Sequence, residues 1–286
     1  MTSATPAGKT RLGAIAFINT LPVYFDLDQT GVDLHYDHPA ALNAMMSDGK
    51  LDVSPVSSAH YWQHKNDYVL LDDLSVSSPG AVESVLFVSK HELGVGLKQF
   101  ERIAVPNDSA TSVQLLSHLI RTHAGCDLSG RFEVYPAADY QKALETTGCA
   151  LVIGDNALLL SEAGVPQGNH LYDLSSLWKE ATGLPFVFAV WVANRAWAQT
   201  HPEQLAAVNR ALCESRERFF ADHNLMQRGL SDAAGRCKIS EDRIRRYYTQ
   251  CLNYRLDTQH RHSLEQFGAV LDQSAQDALP REPQFA

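Results

Sequence analysis

Polar side chains that could bind a small anion follow several apolar runs of this chain. Asn19 and Thr20 come directly after the first apolar run, and Ser57 and Ser58 come after the third. Ser57 can also cap the helix that is predicted after it, and Pro22 suits the first turn of a helix. Both groups are therefore either ligand-binding side chains at strand ends or ordinary helix caps.

A third group of polar side chains lies in segment 107–112, NDSATS, at the start of the helix predicted over Ala110–His123. Hydroxyl groups of Ser109, Thr111 and Ser112 would meet there with the positive end of the helix dipole. Such an end stabilises a nearby anion by about 0.3–1 kcal/mol. On local grounds, this segment is the strongest candidate for an anion site.

Gly154 and Asp155 follow another apolar strand, predicted over Ala150–Ile153. A glycine allows the backbone to approach a ligand closely. Asp155 could accept a proton or a hydrogen bond from a hydroxyl group, and a helix cap is the competing interpretation.

Motifs for metals and nucleotides are incomplete. His60 and His64 are four residues apart, but no glutamate follows His60, so the H-E-x-x-H zinc pattern is absent. Gly94 and Gly96 lack the third glycine of a dinucleotide fingerprint, and the chain contains neither a P-loop nor a G-x-S-x-G motif. We therefore expect no metal, nucleotide or covalent cofactor.

Short strands alternate with amphipathic helices over the first two thirds of the chain, and helices follow to the end. This rhythm predicts an α/β fold with mostly parallel strands and right-handed crossovers. Two long apolar strands, predicted over Val82–Ser89 and Pro185–Ala193, bracket a self-contained block. We predict a two-lobed protein with a two-strand hinge. Residues 1–89 and 191–286 form one lobe, residues 90–190 form the inserted lobe, and the ligand lies in the cleft.

The composition limits the range of partners and compartments. The 286 residues carry a formal net charge of −9, which argues against nucleic acid or an anionic membrane surface. No apolar run is long enough to cross a membrane, and the N-terminus has no secretory pattern. Five cysteines without a C-x-x-C pair are typical of free thiols in a reducing compartment. We expect a cytoplasmic protein without a membrane partner, and the oligomeric state is left open.

Four segments together resemble one family. They are FINTLP at 17–22, DGKLDVSPVSS at 48–58, ALVIGD at 150–155 and the tail from Tyr248 to Leu271. The chain resembles the chorismate dehydratases of menaquinone biosynthesis by the futalosine pathway over nearly its whole length. The resemblance implies a type II periplasmic-binding-protein-like fold, in which each lobe is a mixed sheet flanked by helices.

The resemblance also implies a reaction. Chorismate, a small dicarboxylate, would lose water to give 3-[(1-carboxyvinyl)oxy]benzoate, and aromatisation would drive the step without a cofactor. Asn19 and Asp155 would be the catalytic residues. The substrate-binding residues would be Thr20, Ser57, Ser58, Ser84, Ser109, Thr111, Ser112 and Gly154. The general base is left open, and the substrate's own side-chain carboxylate is one candidate.

Two alternatives remain. The sister enzyme of the pathway, 1,4-dihydroxy-6-naphthoate synthase, shares the fold but has a catalytic histidine where this chain has Gly154 and Asp155. A non-catalytic protein that binds small anions would be expected to carry an export signal or a lipid anchor.

Overall fold

The structure is a computed structural model that describes residues 8–276 apart from Asp108, Cys126 and Pro166. Its strands form two five-stranded sheets. The first sheet contains β1 (Thr10–Ile15), β2 (Val32–Asp37), β3 (Val53–Ser57), β4 (Tyr68–Ser78) and β10 (Phe186–Asn194). The second sheet contains β5 (Val85–Ser89), β6 (Ile103–Pro106), β7 (Phe132–Tyr135), β8 (Cys149–Ile153) and β9 (His170–Asp173).

The two sheets repeat one pattern of strand order. The first has the order β2-β1-β3-β10-β4 and the second β7-β6-β8-β5-β9. In each sheet three parallel strands are followed by one strand that runs antiparallel to both of its neighbours, β10 in the first sheet and β5 in the second. Both sheets are therefore mixed, as the predicted α/β fold class requires.

Helices connect the strands and make up the C-terminal part of the chain. The first seven are α1 (Leu21–Tyr24), α2 (Pro39–Ser47), α3 (Ser58–Gln63), α4 (Ala110–Ala124), α5 (Tyr140–Thr147), α6 (Gly154–Ala163) and α7 (Leu174–Thr182). The others are α8 (Arg195–Thr200), α9 (Pro202–Ala221), α10 (His223–Cys237), α11 (Glu241–Arg246) and α12 (Thr258–Gln276). A 3-10 turn at Ile18–Thr20 follows β1, and a π turn at Tyr247–Cys251 follows α11. Within the described residues, no helix is both long and apolar enough to span a bilayer.

The passage of the chain between the sheets differs from the prediction. The segment predicted as a crossover strand over Val82–Ser89 becomes a strand only at Val85, and β5 is hydrogen-bonded on both sides within the second sheet. The strand β10, in turn, lies wholly in the first sheet. Because the paired residues of β5 all lie in the second sheet and those of β10 all lie in the first, neither strand spans both sheets, and the predicted two-strand hinge and the boundaries at 89 and 190 need correction. The chain crosses at residues 79–84 and, through α7, at residues 174–185.

The helix α10 is continuous through Gly229. A side chain at Gly229 would place its Cβ only 2.3 Å from Phe219 of α9. The glycine therefore serves the close packing of two helices.

Candidate functional site

A cavity of about 490 Å³ opens between the two sheets. The first sheet and its helices contribute Ile15, Phe17, Asn43, Ser57, His60 and Phe188 to its wall, among others. The second sheet and its crossover contribute Val82, Ser84, Thr111 and Gly154, among others. Strand ends and helix starts of both sheets thus meet at one site, which is where open α/β sheets bind their ligands.

Most of the residues predicted for the site line this cavity. Seven of the ten do so: Asn19, Ser57, Ser84, Ser109, Thr111, Ser112 and Gly154. The other three, Thr20, Ser58 and Asp155, are not in the wall.

The hydroxyl groups of Thr20 and Ser58 are turned into the protein. Thr20 Oγ1 donates to the carbonyl oxygen of Ile15 at 3.0 Å, and Ser58 Oγ donates to that of Val187 at 2.7 Å. Both side chains are buried. They hold the backbone in place and are not positioned to bind a ligand.

Helix starts give the cavity its electrostatic character. The wall includes the first residues of α2, α4 and α6, which begin at Pro39, Ala110 and Gly154. Each helix start carries a partial positive charge. Among the described residues of the wall there is no lysine, arginine, aspartate or glutamate. The site is therefore suited to an anion that is bound by helix dipoles and neutral donors.

Thr111 joins the two sides of the cavity. Its Oγ1 accepts a hydrogen bond of 3.0 Å from the backbone N–H of Ala59, so α4 is tied directly to α3. Next to it, Ser109 Oγ donates to Ser112 Oγ at 2.7 Å. Asp108 of the same predicted segment lies outside the described residues.

Among the described residues, Asn19 places an unpartnered hydrogen-bond acceptor at the cavity. It lies in the 3-10 turn after β1 and lines the cavity. Its Oδ1 atom is buried and has no hydrogen-bond partner within the described part of the chain. Buried polar atoms are nearly always hydrogen-bonded, so this acceptor is suited to a donor on a bound molecule.

Hydrogen bonds to the carbonyl oxygen and to the N–H of Ile18 hold the turn that carries Asn19. Tyr248 Oη donates to the carbonyl oxygen of Ile18 at 2.9 Å, and the Asp155 carboxylate accepts the N–H of Ile18. Burial raises the pKa of Asp155, although the Ile18 N–H and the charge of Arg236 act in the opposite direction. Asp155 contacts the turn behind Asn19 instead of the cavity.

Ser84 lies where the chain enters the second sheet. Its Oγ accepts a hydrogen bond from Tyr247 Oη at 2.8 Å, and its carbonyl oxygen accepts the N–H of Gly154 at 2.8 Å. Burial raises the pKa of Tyr247, so this phenol stays protonated as a donor. Because Ser84 Oγ accepts from Tyr247, its own proton remains available for a ligand.

Several wall residues were not predicted as site residues. Asn43 Nδ2 donates to Ser57 Oγ at 3.2 Å, and the rings of His60 and His64 lie 4.4 Å apart with His60 Nε2 at 3.0 Å from Tyr68 Oη. The four-residue spacing, which predicts no metal site, places the ring of His60 in α3 and that of His64, the residue after α3, on the same side. No group of three or more His, Cys, Asp or Glu residues in the described part of the chain is arranged to hold a metal ion.

The fold defines a broad class of protein. A protein from Archaeoglobus fulgidus has a similar structure, with a TM-score of 0.71 and 16% identity over 95% of this chain and 100% of that one. The alkanesulfonate-binding protein of Xanthomonas axonopodis pv. citri, bound to MOPS, has a TM-score of 0.68 and 12% identity, with 98% of this chain and 96% of that one covered. The periplasmic aliphatic sulphonate-binding protein of Escherichia coli has a TM-score of 0.64 and 10% identity, with 98% of this chain and 94% of that one covered. The chain thus has the fold of periplasmic binding proteins.

The family within that class follows from the sequence comparisons. The family model for menaquinone biosynthesis matches residues 10–273, and the chain belongs to this family. It is also 31% identical over 289 residues to the chorismate dehydratase of Thermus thermophilus, with 96% of this chain and 97% of the relative covered.

Proposed function

We propose that this protein is a chorismate dehydratase, a carbon–oxygen lyase that converts chorismate to 3-[(1-carboxyvinyl)oxy]benzoate and water. The observation that carries the proposal is the cavity itself. Neutral donors and helix starts surround it, and the unpartnered acceptor of Asn19 faces it. The similarity to the Thermus thermophilus chorismate dehydratase supports the choice of substrate.

Chorismate matches the cavity in size and in polarity. A volume of about 490 Å³ is ample for a single small molecule, since ligand pockets typically measure about 300–1,000 Å³. Chorismate carries two carboxylates and one ring hydroxyl. We assign the carboxylates to the start of α4, with Ser109, Thr111 and Ser112, and to Ser57 on the opposite side.

The ring hydroxyl is the substrate's only O–H donor when both carboxylates are ionised. It is therefore the natural partner of Asn19 Oδ1, which can only accept a hydrogen bond. Ser84 can donate its free proton to the same hydroxyl oxygen. The hydrogen bond from Tyr247 strengthens Ser84 as a donor, because linked hydrogen bonds polarise one another.

The reaction removes a proton from the ring carbon that bears the enolpyruvyl ether and a hydroxyl group from the adjacent carbon. The C–H electron pair becomes the new ring double bond, and the hydroxyl leaves with a proton as water. The described wall of the cavity contains no aspartate or glutamate, and the rings of its two histidines, His60 and His64, lie against each other, with His60 Nε2 bonded to Tyr68 Oη. We assign this step to the substrate's side-chain carboxylate, which the protein holds close to the proton.

Asp155 has a positioning role in this scheme. It does not line the cavity, but its carboxylate holds the Ile18 N–H and so fixes the turn that presents Asn19.

We place the reaction in the cytoplasm, because the four described cysteines, Cys149, Cys213, Cys237 and Cys251, are free thiols.

The experiment that tests the proposal is incubation of the purified protein with chorismate, followed by mass spectrometry and ultraviolet absorbance. We expect a product lighter by one water with an aromatic spectrum. Ser84→Ala should slow its formation, and Ser58→Ala is the matched control, because Ser58 is a buried serine outside the cavity wall. Unchanged chorismate together with ligand-induced thermal stabilisation would indicate a binding protein and contradict the proposed activity.

A further inference from the structure

Glu83, the residue before Ser84, has an unusual backbone conformation. Its φ is +61°, in the left-handed region that non-glycine residues rarely adopt. Strained residues of this kind persist only where surrounding contacts enforce them, and they concentrate at functional sites. Glu83 lies in the irregular segment through which the chain enters the second sheet.

Two arginines and one aspartate hold Glu83 in place. Its carboxylate forms an ion pair with Arg243 and a second with Arg246, whose Nη2 lies 2.8 Å from Glu83 Oε1. Its backbone N–H donates to Asp173 Oδ2 at 2.7 Å, and Asp173 also caps α7. The side chains of Glu83 and Arg243 are each only 14% exposed, so solvent screens their ion pair weakly.

The same C-terminal segment also holds Ser84. Arg246 ends α11, and Tyr247, the next residue, donates to Ser84 Oγ. Ser84 is therefore positioned from two directions, through the phenol of Tyr247 and through the backbone of Glu83. A change of φ at Glu83 would move Ser84 relative to the cavity even if Tyr247 stayed in place.

We propose that Glu83 is a positioning residue for Ser84. Its ion pairs with Arg243 and Arg246 enforce the left-handed backbone that sets Ser84 Oγ at the cavity wall. The effect on turnover rests on the proposed function, whereas the effect on the placement of Ser84 does not.

Two substitutions separate this role from a merely structural one. Glu83→Ala removes the ion pairs and leaves a residue that resists positive φ. Glu83→Gly removes the same ion pairs but adopts positive φ without strain. We expect Glu83→Ala to lower kcat by up to about 10²-fold with little change in KM, since small misplacements of reacting groups have effects of this size. Glu83→Gly should recover much of that loss, because it restores the backbone conformation without restoring the ion pairs.

A structural brace alone would lower the free energy of unfolding in both variants but leave kcat at the wild-type value wherever the protein is folded. Wild-type kcat in Glu83→Ala, or equal losses in both variants, would overturn the proposal. Glu133→Ala is the control, because it removes an exposed ion pair with Arg102 and should leave kcat unchanged.

Hydrogen exchange gives a readout that does not depend on turnover. The N–H of Gly154 is bonded to the carbonyl oxygen of Ser84, so its exchange reports the placement of Ser84. We expect faster exchange in Glu83→Ala than in Glu83→Gly. If wild-type protein leaves chorismate unchanged but this order holds, the proposed function fails and the role of Glu83 stands. If wild-type protein is active and the two variants exchange alike, the role of Glu83 fails alone.

Discussion

Replacing Asn19 with alanine should stabilise the protein while it removes activity. Asn19 Oδ1 is buried without a partner within the described part of the chain, and such an atom costs about 1–3 kcal/mol of stability. Truncation removes that cost. The turn itself should persist, because Tyr248 and Asp155 hold it through the backbone of Ile18. We expect the free energy of unfolding without ligand to rise by about 1 kcal/mol, or about 2–4 °C in Tm.

The activity should change in the opposite direction. Asn19 orients the leaving hydroxyl in the proposed reaction, and the loss of one preorganised hydrogen bond at a reacting oxygen costs about 10²–10³-fold in kcat, or roughly 3–4 kcal/mol. Thermal or urea unfolding measures the first effect, and the rate of product formation from chorismate measures the second.

Thr20→Val is a matched control at the next residue. Thr20 Oγ1 donates to Ile15 and lies outside the cavity wall, so its loss should lower the free energy of unfolding by about 1 kcal/mol and leave kcat/KM close to wild type. The two neighbours should therefore show opposite effects on stability and on rate. An Asn19→Ala variant that is less stable than wild type, or that keeps its kcat/KM, would refute the reasoning.

The remaining predictions concern the other contacts of the cavity. Thr111→Val should raise KM about tenfold, because the Ala59 N–H loses its partner across the cleft. Thr111→Ser keeps the hydroxyl group and should restore KM to the wild-type value. Initial rates measured against chorismate concentration test both expectations. Ser84→Ala should lower kcat more than Tyr247→Phe does, since only the first removes the proposed donor, and equal losses in single-turnover experiments would contradict that assignment. Burial raises the pKa of Asp155, so the folded protein binds this proton more tightly than the unfolded chain, and stability should fall as pH rises from the ordinary value of 3.8 through the folded pKa. Asp155→Asn should flatten that part of the stability profile in urea unfolding at a series of pH values, and an unchanged slope would exclude Asp155 as its source.

Local signals predicted the elements that depend on neighbouring residues. Pro22 lies in the first turn of α1, and Ser57 caps α3 by accepting the N–H of His60 at 3.3 Å. A proline at a helix start and a serine before a helix act within one turn. The sequence alone was therefore enough to predict these two helix starts.

The strand β4 went unpredicted for a physical reason. Asp72 and Asp73 interrupt its apolar pattern, and β4 bulges there against β10. Asp73 has a φ of +57° and is paired with Arg216, a buried residue of α9. This conformation depends on a partner far along the chain, which no local pattern can show.

The same reasoning explains why Ser57 and Ser58 have different roles in the structure. Ser57 ends β3 and Ser58 begins α3, and both are serine, so residue type alone predicted the two equally as ligand-binding residues. Their roles depend on tertiary partners, since Ser58 Oγ meets the carbonyl oxygen of Val187 on β10, whereas Ser57 lines the cavity beside Asn43. Residue type and spacing indicated the place of the site, but the direction of each side chain needed the fold.

The absence of lysine, arginine, aspartate and glutamate from the described wall fits a reaction in which the substrate supplies its own base. An arginine or lysine paired with the side-chain carboxylate of chorismate would stabilise its ionised form and make it a weaker base. Helix starts and hydroxyl groups, such as those of α4 with Ser109 and Ser112, bind a carboxylate through partial charges instead. They can hold the anion in the cleft and still leave it basic enough to take the ring proton. In the proposed reaction, the helix starts would therefore bind the substrate, Asn19 and Ser84 would orient the leaving hydroxyl, and the substrate itself would remove the proton.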